Sequence, residues 1–223
     1  MNGPLERDGY DVAADVVPEH ALQPLRRLFG RAVEGRAGTR NGLAHTEVRD
    51  LVAMPGLREL VANVLGPGAV PHRASLLDKS TDTNWFVAWH QDLVVPVSRR
   101  VDAPGYGPWS RKGDTWFVQP PASLLQHLLA VRIDLDGSDE HNGALRVLPG
   151  THREGVLPAP RIADLARTVA PVTATCAPGG AVLLRPLLLH ASAKARRDCH
   201  RRIVHLEYCP AALVGQLQPR DVG

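Results

Sequence analysis

A chain of 223 residues that is 44% hydrophobic and 22% charged can bury a core as one domain, without disulfide staples. No apolar run approaches the roughly 18 residues of a membrane span, and the opening "MNGPLERDGYD" lacks the apolar stretch of a secretory signal. A cytoplasmic protein with no membrane partner is expected. Net charge is only +3 and aromatics are 4%, too little of either for a nucleic-acid surface built on basic and stacking groups. Cys176, Cys199 and Cys209 make an odd set without metal-type spacing, so free thiols are expected.

Residues 1–66 read as largely helical. In "PEHALQPLRRLFGRAV", Ala21, Leu22, Leu25, Leu28, Phe29, Ala32 and Val33 recur at helical spacing after Pro18, and Pro24 falls early enough to be tolerated. A second helix is expected in "GLRELVANVLG", with Leu57, Leu60, Val61, Val64 and Leu65 on one face and Gly66 as the stop. From residue 67 to 212 the texture changes to short Val-, Leu- and Ile-rich runs between turn residues, the pattern of an antiparallel sandwich or barrel. The interruption at 98–121, rich in Pro, Gly and Trp, is expected to be a lid loop or pocket wall.

"FVAWHQDLVV" carries His90 and Asp92 two residues apart in an apolar run, hence on one face if the strand continues through both. His190 closes another apolar run, "GGAVLLRPLLLHAS", where a sheet rim is expected. Two imidazoles and a carboxylate suit non-haem Fe(II), leaving positions open for further ligands. A solvated strand face plus an unrelated rim histidine accounts for the same residues. Eleven residues beyond His190, Arg201 opens "RRIVHLEY"; an arginine fork there can grip a carboxylate, while Arg202 points to the other face.

Taken with their order, "WHQD", "HNGALRVLPGTH" and "GGAVLLRPLLLHAS" followed by "RRIVHLEY" resemble the phytanoyl-CoA dioxygenase family of Fe(II)/2-oxoglutarate-dependent oxygenases. The resemblance extends over most of the chain. It implies a mainly β fold with flanking helices, a double-stranded β-helix (cupin-like jelly roll) preceded by N-terminal helices. It implies iron held by His90, Asp92 and His190, 2-oxoglutarate held by Arg201, and O2 as oxidant. Lys79 stands where the family often has a lysine, and it and Arg73 are candidates to neutralise a second carboxylate. Relatives often carry Asp at the position of Gly180; related halogenases lack the carboxylate that Asp92 supplies, so oxidation without halide is implied.

The resemblance implies release of succinate and CO2 and hydroxylation of a small-molecule substrate. Candidate substrate walls are Trp85, Trp109, Trp116, His127 and Arg132. His127 and Arg132 are placed on opposite faces of one strand, and His141 and His152 are read as turn residues rather than ligands. Two other readings remain open: a cupin-like metal-dependent isomerase or hydrolase without 2-oxoglutarate, and a jelly roll that binds a small ligand without catalysis.

Overall fold

The computed structural model describes residues 3–100 and 103–217; Val101 and Asp102, in the expected lid segment, lie outside them. The amino-terminal part contains helix α1 (Pro4–Asp8), strand β1 (Tyr10–Ala13), α2 (Glu19–Ala32), the two-residue β2 (Gly38–Thr39), α3 (Thr46–Ala53) and α4 (Pro55–Leu65). The expected helices are α2 and α4. Leu22, Leu25, Leu28 and Phe29 of α2 are buried, each contributing roughly 1.5–3 kcal/mol of apolar burial. Pro24 removes one helical N–H but leaves that apolar stripe intact. Pro55 opens α4 and Gly66 closes it at φ 82°.

The rest is mostly strand: β3 (Val70–Lys79), β4 (Val87–His90), β5 (Val95–Val97), β6 (Trp109–Lys112) and β7 (Thr115–Val118). After α5 (Ala122–Leu125) come β8 (Leu129–Asp134) and β9 (Leu145–Val147). After α6 (Ala159–Thr168) come β10 (Val172–Ala174), β11 (Ala181–Leu184), β12 (His190–Ser192) and β13 (Arg201–Cys209). They form a six-stranded sheet, β1-β11-β8-β13-β3-β2, a four-stranded sheet, β10-β9-β12-β4, and a three-stranded sheet, β5-β7-β6. This is the jelly roll with flanking helices.

Alternation decides the two faces of the six-stranded sheet. Val204, Leu206 and Tyr208 of β13, with Leu129, Val131 and Ile133 of β8, join Ala74 and Leu76 of β3 in one core with the buried residues of α2, α3 and α4. The opposite face of the same strands presents Arg201, His205 and Glu207, Arg132, and Arg73 and Ser75 to a cavity. One face builds the fold; the other builds the site.

Three expectations need correction. The segment 98–121 is not a loop throughout: its second half holds β6 and β7, a hairpin that pairs with β5, and Lys112, Thr115 and Phe117 of that hairpin line the cavity as a pocket wall. Trp109 and Trp116 pack edge to face, with ring centroids 6.3 Å apart, against a core that includes Val95, Val97, Val118 and Leu125. They are not cavity walls; Phe117, on the alternate face of β7, is. Nor does one strand carry both His127 and Arg132: α5 and its turn occupy the first half of that run, and His127 is exposed there, away from the cavity.

Candidate active site

β4 does not continue through Asp92, as simple alternation supposes; it ends at His90. The chain is redirected by Gln91, whose buried amide donates to the carbonyls of Gly155 (2.8 Å) and Leu187 (2.7 Å) and accepts from the N–H of Leu157 (2.9 Å). The N–H of Asp92 donates to the Pro186 carbonyl at 2.9 Å. His90 and Asp92 thus reach a common point through a strand end and a pinned turn. His190 arrives from β12, directly opposite His90 in the antiparallel register with β4.

The two imidazole centroids lie 4.2 Å apart. Nε2 of His90 is 3.7 Å from Oδ1 of Asp92, and Nε2 of His190 is 3.5 Å from Oδ2. These separations exceed a normal hydrogen bond. They are close to the roughly 3–3.4 Å between neighbouring ligands of one ion with bonds of about 2.1 Å. All three ligand atoms fall within 4.8 Å of one another. In each histidine, Nδ1 faces a backbone carbonyl at 2.9 Å, that of Ala88 for His90 and of Leu188 for His190. A proton on Nδ1 satisfies that carbonyl and leaves the Nε2 lone pair aimed at the shared point. Burial pushes the His190 imidazole down to about 4, so it is neutral, the form that ligates. For Asp92, burial opposes ionisation, but His190, His205 and His90 together hold its carboxyl below the usual range. Two neutral imidazoles and a carboxylate fit a divalent first-row metal.

The cavity beside these residues has a volume of about 940 Å³. Arg201 lies on its wall, 4% exposed, with Nε donating to the Asn142 carbonyl at 3.2 Å. Arg202 faces the other way and is held by Asp136 through two contacts of 2.8 and 2.6 Å. Lys79, paired in register with Arg201, is fully buried; Nζ donates to Ser192 Oγ at 2.7 Å and to the Ala193 carbonyl, and lies 5.2 Å from the centre of the Trp85 ring. Trp85 itself lines the cavity. Arg73 reaches the lining too, but its Nη1 is 3.1 Å from Glu207, so its charge has an internal partner.

His72, His205, Glu207 and Phe117 also line the cavity and escaped sequence reading. The alternation used for His90 applies equally from Arg201: residues 203, 205 and 207 share its face. His141 and His152 stay outside the lining, and His152 contacts the Glu6 carbonyl at 3.2 Å. At Gly180 an added Cβ would lie 2.7 Å from Cys176 Sγ and 3.0 Å from the Ala13 carbonyl, which leaves no room for an aspartate. Cys176, Cys199 and Cys209 are free. No helix among the described residues is long and apolar enough to cross a membrane.

The phytanoyl-CoA dioxygenase family model matches residues 5–203. The chain belongs to this family. The cofactors that go with the family are iron, 2-oxoglutarate and O2. A comparison with curated proteins found no match. Among solved structures, AviO1 from Streptomyces viridochromogenes Tue57 is 24% identical, with TM-score 0.68, over 94% of this chain and 93% of AviO1. EctD from S. alaskensis, with 2-oxoglutarate and 5-hydroxyectoine, is 21% identical, with TM-score 0.71, over 94% and 74%. The non-heme alpha-ketoglutarate-dependent epimerase SnoN from nogalamycin biosynthesis is 17% identical, with TM-score 0.67, over 93% and 80%. At these identities the family member shares their fold.

Proposed function

We propose that the protein is an Fe(II)/2-oxoglutarate-dependent dioxygenase that hydroxylates a C–H bond of a small-molecule substrate, releasing succinate and CO2. The observation that carries this reading is the convergence of His90, Asp92 and His190 on a cavity that a buried arginine, Arg201, lines from the six-stranded sheet. His90, Asp92 and His190 would hold the iron, which when bound supplies the redox chemistry that activates O2. Gln91 and the carbonyls of Ala88 and Leu188 orient those ligands. Arg201 takes the distal carboxylate of 2-oxoglutarate through the guanidinium end that its bond to Asn142 leaves free. Lys79 supports that subsite from behind, through Ser192 and Ala193. Trp85 and Phe117 give the cavity apolar walls that exclude water from the reacting centre.

Hydroxylation is supported by the 5-hydroxyectoine in the EctD complex, whereas SnoN is an epimerase on the same fold. Asp92 speaks for an outcome without halide. The test is to supply Fe(II), 2-oxoglutarate and O2, screen metabolites for stimulated succinate release, and analyse the stimulating compound by mass. A gain of one oxygen atom is expected. An unchanged mass with inverted stereochemistry would replace hydroxylation by epimerisation, and no succinate under any condition would remove the 2-oxoglutarate reading.

A further inference from the structure

Arg132 is a buried cation with no carboxylate bonded to it among the described residues. It lies on β8 opposite His205 of β13, is 9% exposed, and lines the cavity. Its one side-chain hydrogen bond among the described residues is from Nη1 to His205 Nδ1, at 3.1 Å. A guanidinium can only donate, so His205 Nδ1 accepts and its Nε2 carries the proton. That Nε2 faces Glu207 Oε1 at 3.4 Å, and Glu207 is in turn 3.1 Å from Nη1 of Arg73. The row Arg132–His205–Glu207–Arg73 fixes the Arg132 guanidinium through Nη1 alone. Nε and Nη2, the edge that grips a carboxylate with two parallel bonds, have no hydrogen-bond partner among the described residues.

The acids around it are engaged elsewhere. Asp92 belongs to the metal triad, and Glu207 is held by Arg73. Asp134 accepts from the N–H of Gly137 at 2.7 Å and from the Ser138 hydroxyl. Burial, with Arg201 nearby, pushes Arg132 down to about 10, which still leaves it charged at neutral pH. A desolvated guanidinium is costly unless an anion meets it. Arg201 also faces this cavity, with Nε taken by Asn142 and no carboxylate bonded to it among the described residues, so one sheet face presents two guanidinium groups.

We propose that Arg132 is a second carboxylate-binding fork in the cavity, separate from Arg201 and oriented by His205. Its carboxylate comes either from the metal-side end of 2-oxoglutarate or from an acidic substrate. The first source rests on the function proposed above; the second does not.

The two are separated by NMR of the arginine Nε–H groups in protein loaded with redox-inert Zn(II), with the signals assigned through Arg132→Lys and Arg201→Lys. If 2-oxoglutarate is the source, adding it shifts both signals, and Arg132→Gln weakens its binding about tenfold or more in calorimetry. If the substrate is the source, 2-oxoglutarate shifts Arg201 alone and binds Arg132→Gln within about twofold of wild type. Acetate added to that complex then shifts Arg132, while the neutral isostere acetamide does not. An Arg132 signal that moves with neither carboxylate, or equally with acetamide, overturns the proposal. If 2-oxoglutarate binds nowhere, the proposed function falls, and the acetate arm still decides the role of Arg132. Arg132→Lys keeps the charge without the fork, and is read in place of the glutamine variant if the latter does not fold.

Discussion

Lys79 and Arg201 are direct cross-strand partners on β3 and β13, and both are buried. Two cations facing each other on one sheet are unfavourable unless something relieves them. Burial, followed by the charges of Arg201 and Arg132, pushes Lys79 down to about 7 from its ordinary 10.5. In the unfolded chain Lys79 keeps its proton up to about 10.5, so between pH 7 and 10.5 the unfolded state binds more protons than the folded one. Lys79 therefore makes stability rise with pH across that window, while below pH 7 its penalty is present in full. Lys79→Met should flatten the rise relative to wild type in urea unfolding at pH 6.5, 8 and 9.5. Identical slopes for the two proteins would mean that Lys79 is not desolvated as described.

Arg201 and Arg202 are adjacent in sequence and opposite in direction, one lining the cavity and the other bonded to Asp136. Arg201→Gln should weaken 2-oxoglutarate binding about thirtyfold or more, the scale for truncating one partner of a buried charged contact. Arg202→Gln leaves the cavity intact but breaks the two contacts with Asp136. It should bind 2-oxoglutarate within about twofold of wild type and lose about 1–2 kcal/mol of stability. Calorimetry and denaturant unfolding on both variants check this, and equal losses of binding would undo the assignment.

These residues also show what the sequence makes legible. Arg202 was separable from Arg201 by strand alternation alone, and the helical face of Leu22, Leu25, Leu28 and Phe29 by its spacing. His90 and Asp92 were legible as a pair, but not the way they meet. Alternation assumes that the strand goes on, whereas Gln91 pins a turn through bonds to Gly155, Leu157 and Leu187, 64 to 96 positions away. Trp109 and Trp116 misled for a related reason: a segment rich in Pro and Gly hides the pairing of β6 and β7 with β5, which depends on distant partners. Arg132 and His205 become neighbours only through the β8–β13 register, which no local pattern encodes.

The metal triad makes a prediction independent of turnover. Loading with a divalent metal should raise the melting temperature of the wild type, because the ion binds only the folded chain. His90→Ala, Asp92→Ala and His190→Ala should each bind less than a tenth of an equivalent of metal in elemental analysis, and show no such rise. Each should also lose 2-oxoglutarate-dependent activity. Full metal content in any one of them would remove that residue from the ligand set.

Gly143 tests how tightly the Lys79 side of the site is built. Its φ is +75°, and a Cβ there would lie 2.5 Å from the Ala193 carbonyl and 3.0 Å from Lys79 Nζ. Those two groups bond each other, and Ser192 Oγ also donates to the Gly143 carbonyl at 2.8 Å. Gly143→Ala must therefore strain the backbone and dislodge the Lys79 anchor together. Gly113, in the turn between β6 and β7, has φ +57° with nothing within 4 Å of its would-be Cβ, so Gly113→Ala carries the backbone cost alone. That cost should be about 1 kcal/mol. Gly143→Ala should lose at least about 2 kcal/mol more than Gly113→Ala, through the added clash. It should also weaken 2-oxoglutarate binding, which Gly113→Ala leaves unchanged. Equal unfolding midpoints for the two variants would show that the Gly143 turn yields without disturbing Lys79.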